Sequence, residues 1–135
     1  MVQTFSPDNP IFTYLQAYDY IGFLEDEINI RSVLGYPPFK RLILLVVSAA
    51  KSRNAYDSAV ALRNEFSEIA SKKNIELLGP AESPLLKRGK MYRYQLLLKI
   101  PYDLKPEELE REINDFMKRS KGINLRIDVD PISFM

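Results

Sequence analysis

The sequence predicts an α+β protein in which one long helix precedes a four-stranded antiparallel sheet. Three observations support this fold class. The chain has 135 residues, which is enough for one domain of ordinary size. Apolar residues spaced three and four apart fill its first segment, and after residue 38 strand-like and helix-like segments follow in the order βαββαβ. With right-handed crossovers, this order gives a ferredoxin-like (split βαβ) plait with both helices on one face.

We therefore divide the chain into an N-terminal segment, residues 1–38, and a βαββαβ domain, residues 39–135. A long helix is predicted from Pro10 to Leu34, with Asn9 as its cap and Gly35 at its end. Its apolar face consists of Ile11, Tyr14, Tyr18, Ile21, Leu24 and Ile28. Further aromatic residues fall on other sides, so we expect this helix to pack against more than its own domain.

The first half of the βαββαβ domain begins with a continuous apolar run, residues 41–47, which predicts a strand buried on both faces. A helix capped by Asn54 follows and ends near residue 73. A short strand is predicted over residues 75–78. Residues 79–90 contain two prolines, two glycines and three basic residues, and these predict a loop.

The second half of the domain has the clearest strand, residues 91–100. Its alternation puts Tyr92 and Tyr94 on the apolar face, so we expect both rings in the core. A helix follows over residues 106–122, and residues 123–129 alternate as a half-buried last strand.

The composition excludes several kinds of catalytic site. The chain has no cysteine and no histidine, so thiolate chemistry, iron–sulfur clusters and histidine-dependent triads are impossible. It contains neither a Walker A motif nor GxGxxG, and no apolar run approaches the ~18 residues of a membrane span. We therefore expect a soluble, cytoplasmic binding domain that has no enzymatic activity, cofactor, metal or membrane contact of its own.

Charge is unevenly distributed along a chain whose net charge is +1. Residues 1–35 carry five acidic residues and one arginine, whereas the other hundred carry 18 basic and 13 acidic residues. The densest basic cluster has four members within seven residues: Lys87, Arg88, Lys90 and Arg93. Such a cluster can neutralise phosphates without reading sequence, or can simply keep a surface loop soluble.

Three residues around this cluster add to the phosphate-binding hypothesis. Gly89 would let the backbone approach a phosphate closely. Arg126 on the last strand could extend the basic patch. Asp128 beside it is expected to form a cross-strand pair with a basic residue rather than a metal site.

Four segments resemble, in the same order, a known family: residues 3–10 (QTFSPDNP), 34–39 (LGYPPF), 88–98 (RGKMYRYQLLL) and 128–131 (DVDP). Together with Gly79-Pro80-Ala81, they resemble the C-terminal end of primosomal protein N′, the PriA replication-restart helicase family of bacteria. The resemblance covers nearly the whole chain. One departure is Met91, which is an extra residue before Tyr92.

The resemblance implies that the chain is a fragment of an ATP-dependent 3′→5′ DNA helicase that binds branched DNA at arrested forks. The ATP, magnesium and zinc sites of that family would lie upstream. Implied partners are forked DNA, the upstream helicase lobes, single-stranded-DNA-binding protein and other primosome proteins. Arg93 and Gln95 match the R-x-Q positions of the family, so the candidate DNA-binding residues are Lys87, Arg88, Gly89, Lys90, Arg93, Gln95 and Arg126.

Two other function classes stay open at this point. An RNA-recognition-type domain that binds single strands would place Tyr92 and Tyr94 on the open face of the sheet. A small hydrolase of the acylphosphatase type shares the plait, but the stretch ending in Arg53-Asn54 lacks the glycines of a phosphate-cradling loop.

Overall fold

The computed structural model describes residues 3–132 and separates into two compact units that meet in sequence at Gly35 and Tyr36. The first unit contains α1 (Ile11–Ala17) and α2 (Tyr20–Leu34). The second contains β1 (Lys40–Ala49), α3 (Ser52–Lys72), β2 (Glu76–Arg88), β3 (Met91–Pro101), a 3₁₀ turn (Pro106–Leu109), α4 (Glu110–Arg119) and β4 (Asn124–Val129).

The single long helix predicted for the first unit is wrong, because the chain breaks between α1 and α2. Tyr18 adopts a left-handed conformation with φ of 53° and ends α1. Asp19 then caps α2, since its carboxylate accepts a hydrogen bond of 2.9 Å from the backbone N–H of Gly22. Gly35 ends α2 in the left-handed region, with φ of 62°, as predicted.

The second unit is built on one antiparallel sheet with the strand order β2-β3-β1-β4. The two central strands pair along the whole length of β1, from Lys40 opposite Pro101 to Ala49 opposite Tyr92. The α+β class and the four-stranded antiparallel sheet are therefore confirmed. The strands β2 and β4 form the two edges.

Most of the loop predicted over residues 79–90 is in fact strand. β2 continues to Arg88, and a two-residue turn joins it to β3 at Met91. The pairing of β2 with β3 shifts register twice, and Pro80 and Pro84 lie in those two irregular stretches. Proline is tolerated there because β2 is an edge strand with one side free of ladder hydrogen bonds.

The main core of the second unit lies between one face of the sheet and the helices α3 and α4. Its largest fully buried side chains include Phe66, Leu62, Ile43, Leu45, Leu96, Leu98 and Ile100. On the opposite face of β1, Leu42, Leu44 and Val46 are also buried, so the prediction that this strand is buried on both faces is confirmed. The cap predicted at Asn54 is wrong, since α3 begins two residues earlier at Ser52.

Within residues 3–132, no helix is both long enough and apolar enough to cross a membrane.

Candidate nucleic-acid interface

The sheet face opposite α3 and α4 carries the polar side chains of β3 and β4. Along β3, Arg93 and Gln95 alternate with Tyr94 and Leu96, which belong to the core. Arg126 of β4 and Gln95 of β3 both pair with Val46 of β1, so the three residues form a row across the sheet. The topology therefore brings the β3 and β4 candidates to the same face.

Three of the predicted arginines line one cavity on this face. Arg88, Arg93 and Arg126 surround a volume of about 250 Å³ together with Ser48 and Asn124. Ser48 pairs with Arg93 on one side and with Asn124 on the other, so these three residues form a second row across the sheet. We call this space the arginine cavity.

Arg93 is the buried member of the arginine cavity. Only 7% of the residue is exposed, although it carries a charge. No carboxylate or carbonyl in the part of the chain that the structure describes forms a hydrogen bond or ion pair with it. Its nitrogens are not among the fully enclosed side-chain atoms that lack a partner, so they keep access to the cavity that Arg93 lines. An anion in the cavity could therefore pair with this largely buried charge.

Arg126 differs from Arg93 because it is exposed and already has an acidic neighbour. Its Nη2 lies 3.1 Å from Oδ2 of Asp128, two residues along the same strand. The prediction of a cross-strand pair for Asp128 is therefore wrong. Alternation along β4 puts both side chains on one side of the strand, where they meet directly.

The structure does not bring every predicted residue into the arginine cavity. Lys87 pairs with Tyr92, and its Nζ lies 5.2 Å from the centre of the Tyr92 ring, which packs against the core. Lys87 therefore belongs to the helix-covered side of the sheet. Gly89 and Lys90 form the hairpin turn, where Gly89 has a φ of 62°.

Gln95 lies next to the arginine cavity without lining it. It is the second residue after Arg93 on the same face of β3, and it pairs with Ala81 on one side and Val46 on the other. Its Oε1 is buried and has no hydrogen-bond partner among the described residues. A carbonyl oxygen in this position can accept a hydrogen bond from a bound group or from water.

Sequence reasoning missed Ser48 and Asn124, although a signal for them existed. Ser48 is the polar residue near the end of the apolar strand β1, and Asn124 opens β4. In an antiparallel sheet with β1 between β3 and β4, the end of β1 lies beside the starts of both neighbours. The strand order was therefore needed before these residues could be placed beside Arg93.

The two tyrosines of β3 occupy the core side of the sheet, as predicted. Tyr94 is buried, its ring lies 5.3 Å from that of Tyr56 in α3, and its hydroxyl lies 3.2 Å from that of Ser52. Tyr92 packs against the same core. The RNA-recognition-type hypothesis requires these rings on the open face, and that requirement is not met.

Fold and site together define a small α+β domain with a cationic cavity on the sheet face away from its helices. The chain belongs to the family described as the primosomal protein N C-terminal domain, whose model matches residues 32–132. The family resemblance that the sequence motifs indicated is thereby confirmed.

Curated relatives from several bacteria match almost the whole chain. It is 33% identical over 136 residues to the replication restart protein PriA of Synechocystis sp., covering 98% of this chain and 16% of that protein. The PriA of Rickettsia conorii is 30% identical over 133 residues, with coverage of 98% and 20%. The PriA of Thermotoga maritima is 32% identical over 133 residues, with coverage of 97% and 16%. The chain thus spans between 16% and 20% of the length of these relatives.

Among solved structures, the C-terminal domain of the MgtC protein from Mycobacterium tuberculosis aligns with a TM-score of 0.48 and 13% identity. The alignment covers 72% of this chain and 97% of that one. A likeness at this level carries no information about function.

Proposed function

We propose that this chain is the DNA-binding and docking part of a replication-restart helicase, and that it binds branched DNA at arrested forks in the bacterial cytoplasm. The single observation that carries the proposal is the convergence of Arg88, Arg93 and Arg126 on one cavity. Arginines gathered in this way neutralise phosphates and position a protein on DNA without reading its sequence. The relatives are named replication restart proteins, which supports a fork as the substrate.

The two parts of the chain would have different roles. Residues 39–135, whose strand order supports a ferredoxin-like plait, would contact DNA. Gln95 lies beside the cavity, Gly89 and Lys90 form the hairpin turn, and Lys87 lies on the helix-covered side of the sheet. Residues 1–38 would join this domain to the upstream helicase lobes. The family match begins at residue 32, whereas the relatives align over nearly the whole chain. Most of α1 and α2 therefore lies outside the domain but inside the longer proteins.

Catalysis is assigned to the rest of the full-length protein. ATP hydrolysis with magnesium, and zinc binding, would be carried out upstream, while this chain supplies binding. Single-stranded-DNA-binding protein and other primosome proteins are further partners that the proposal includes for the full-length protein.

The test measures binding of the 135-residue chain to a fluorescently labelled DNA fork by anisotropy at several salt concentrations. A variant with Arg88, Arg93 and Arg126 replaced by Gln should bind roughly tenfold more weakly or worse. In a plot of the logarithm of the binding constant against the logarithm of the salt concentration, the slope of the variant should be less steep by about 0.9 for each phosphate that it no longer neutralises. The decrease in affinity should be the same for forks of different sequence.

The matched control removes three positive charges elsewhere. Arg53, Lys72 and Lys118 are well exposed on α3 and α4, and each pairs with an acidic residue three or four positions away on its own helix. Their replacement by Gln should change fork affinity by about twofold or less, since such pairs interact weakly with distant charges. Equal decreases in the two triple variants would show that net charge, and not the arginine cavity, determines binding. A chain that binds no fork at any salt concentration would contradict the proposal itself.

A further inference from the structure

We propose that the arginine cavity is an oxyanion pocket in which Arg93 binds a single phosphate group of a nucleic-acid strand. The inference rests on the proposed function and assigns its chemistry to one site. It also adds Ser48 and Asn124 to the binding residues.

The first argument is the state of Arg93. A guanidinium keeps its charge at every physiological pH, so burial cannot be relieved by losing a proton. Arg93 is 7% exposed, and within residues 3–132 no protein group neutralises it. Arg93 lines the cavity, so an anion that enters can reach it. A buried arginine held without a counterion is suited to binding one.

The second argument is the set of groups around Arg93. Arg88 and Arg126 are exposed, so they form the rim above the buried residue. The hydroxyl of Ser48 lies 3.4 Å from the backbone carbonyl oxygen of Asn124 and can rotate to donate to a bound anion instead. The amide of Asn124 supplies another donor. The lining thus offers three guanidinium groups, a hydroxyl and an amide as donors, more than the two oxygens of a carboxylate use, and this favours a phosphate group.

The third argument is size. The cavity has a volume of about 250 Å³, and a water molecule occupies about 30 Å³, so a phosphate group and some of its neighbouring atoms can enter. Arginine binds phosphate through paired N–H donors, which fixes the orientation of the group as well as its position. The phosphate could be the end of a strand or an internal phosphodiester, and the experiment separates these two sources.

The first experiment uses inorganic phosphate as the probe and the whole 135-residue chain. The NMR signal of the Arg93 Nε–Hε group should shift on titration and saturate, while that of Arg53, which is exposed on α3, should not. No shift at Arg93 would overturn the pocket. This result does not depend on whether the chain binds forks.

The second experiment asks whether Arg93 is unsatisfied in the free protein. Replacement of Arg93 by Met should raise the Tm in phosphate-free buffer, because it removes a buried charge that has no partner. Phosphate should raise the Tm of the unchanged chain but not that of Arg93→Met. A variant that melts below the unchanged chain would mean that Arg93 already has a structural partner, and would overturn the inference.

The third experiment compares forks that carry a 5′-phosphate or a 5′-hydroxyl at one strand end. A preference for the phosphate that is absent in both Arg93→Gln and Arg93→Met assigns the pocket to strand ends. A decrease of about tenfold on both forks, larger than that of Arg53→Gln, assigns it to an internal phosphodiester. Fork binding that persists unchanged in both Arg93 variants would refute the pocket and leave the proposed function standing.

Discussion

Arg41, near the start of β1, forms an ion pair with Asp130, which directly follows β4. Nη2 of the arginine lies 2.7 Å from Oδ2 of the aspartate. Oδ1 of Asp130 also accepts a hydrogen bond of 3.3 Å from the backbone N–H of Leu42, and the N–H of Asp130 donates one of 2.8 Å to the Leu42 carbonyl. Asp130 adopts a left-handed conformation with φ of 51°. Asp130, the second aspartate of the Asp128-Val129-Asp130-Pro131 segment, therefore holds the end of the edge strand β4 against β1.

Replacement of Asp130 by Ala should lower the Tm of the chain. The change removes the ion pair and the bond to Leu42, and alanine tolerates the left-handed conformation less well than aspartate. Asp130→Asn should have a smaller effect, since asparagine accepts the same bond and adopts that conformation readily. Thermal unfolding followed by circular dichroism measures both. Asp128→Ala, which removes only the pair with Arg126, is the control, and a larger decrease in Tm there would contradict this account.

Gly79 should be far less replaceable than Gly89, although both have positive φ. A Cβ on Gly79 would lie 2.7 Å from the backbone oxygen of Gln95, and the carbonyl of Gly79 accepts a hydrogen bond from Arg63. A Cβ on Gly89 would meet nothing within 4 Å. We expect Gly79→Ala to destabilise the chain by about 2 kcal/mol or more, and Gly89→Asn by less than about 1 kcal/mol.

Urea unfolding of the two glycine variants measures the difference. Gly89→Asn also tests the sequence hypothesis that this glycine lets the backbone approach a phosphate. The left-handed turn is by itself a sufficient structural reason for the glycine, so we expect fork affinity to be unchanged in that variant. A decrease in affinity without a decrease in stability would show a direct contact at Gly89.

Glu108 should make the stability of the chain dependent on acid pH. The hydrogen bond from Lys73, and a second one from the backbone N–H of Lys105, hold the pKa of Glu108 below its usual value. A carboxyl with a lowered pKa in the folded state stabilises the protein above its unfolded pKa. That contribution disappears as the pH falls through the folded pKa.

The variant Glu108→Gln isolates this effect. Its Tm should lie below that of the unchanged chain at neutral pH, and the two values should converge once the pH falls below the folded pKa of Glu108, where the carboxyl is protonated in both states. Glu68, whose pKa is also lowered through a neighbouring lysine, Lys72, lies within one helix and serves as a comparison. A constant difference between Glu108→Gln and the unchanged chain across this pH range would show that the ionised form is not the stabilising one.

The sequence was sufficient to predict those strands whose pattern of apolar and polar residues follows directly from which side chains are buried. The continuous apolar run of β1 and the alternation of β3 predicted which residues enter the core, because burial on a strand follows a period of two. The break at Tyr18 and Asp19 could not be predicted in this way. Apolar spacing continues across it, and the helices are separated by the left-handed backbone of Tyr18 and the non-helical backbone of Asp19, which caps α2.

The candidate site was partly predictable for a related reason. Arg93 and Arg126 lie in alternating strands, so their side could be derived from their neighbours. The composition of residues 79–90 predicts a loop. A loop has no alternation of side chains, so the sequence does not show on which face of the sheet Lys87 and Arg88 lie. Only the register of the hairpin shows that Arg88 lines the cavity, whereas the ammonium group of Lys87 lies over the Tyr92 ring on the other face.

Asp128 should weaken phosphate binding at the arginine cavity, because its carboxylate competes with the phosphate for Arg126. Replacement of Asp128 by Asn removes that competition and one negative charge at the rim. We expect fork affinity to rise roughly two- to fivefold, the range for a partly exposed ion pair, and the increase to shrink at high salt. Asp57→Asn makes the same charge change on α3, where Asp57 pairs with Arg53 at 3.7 Å. Equal increases in the two variants, measured by anisotropy, would mean that overall charge and not release of Arg126 raises the affinity.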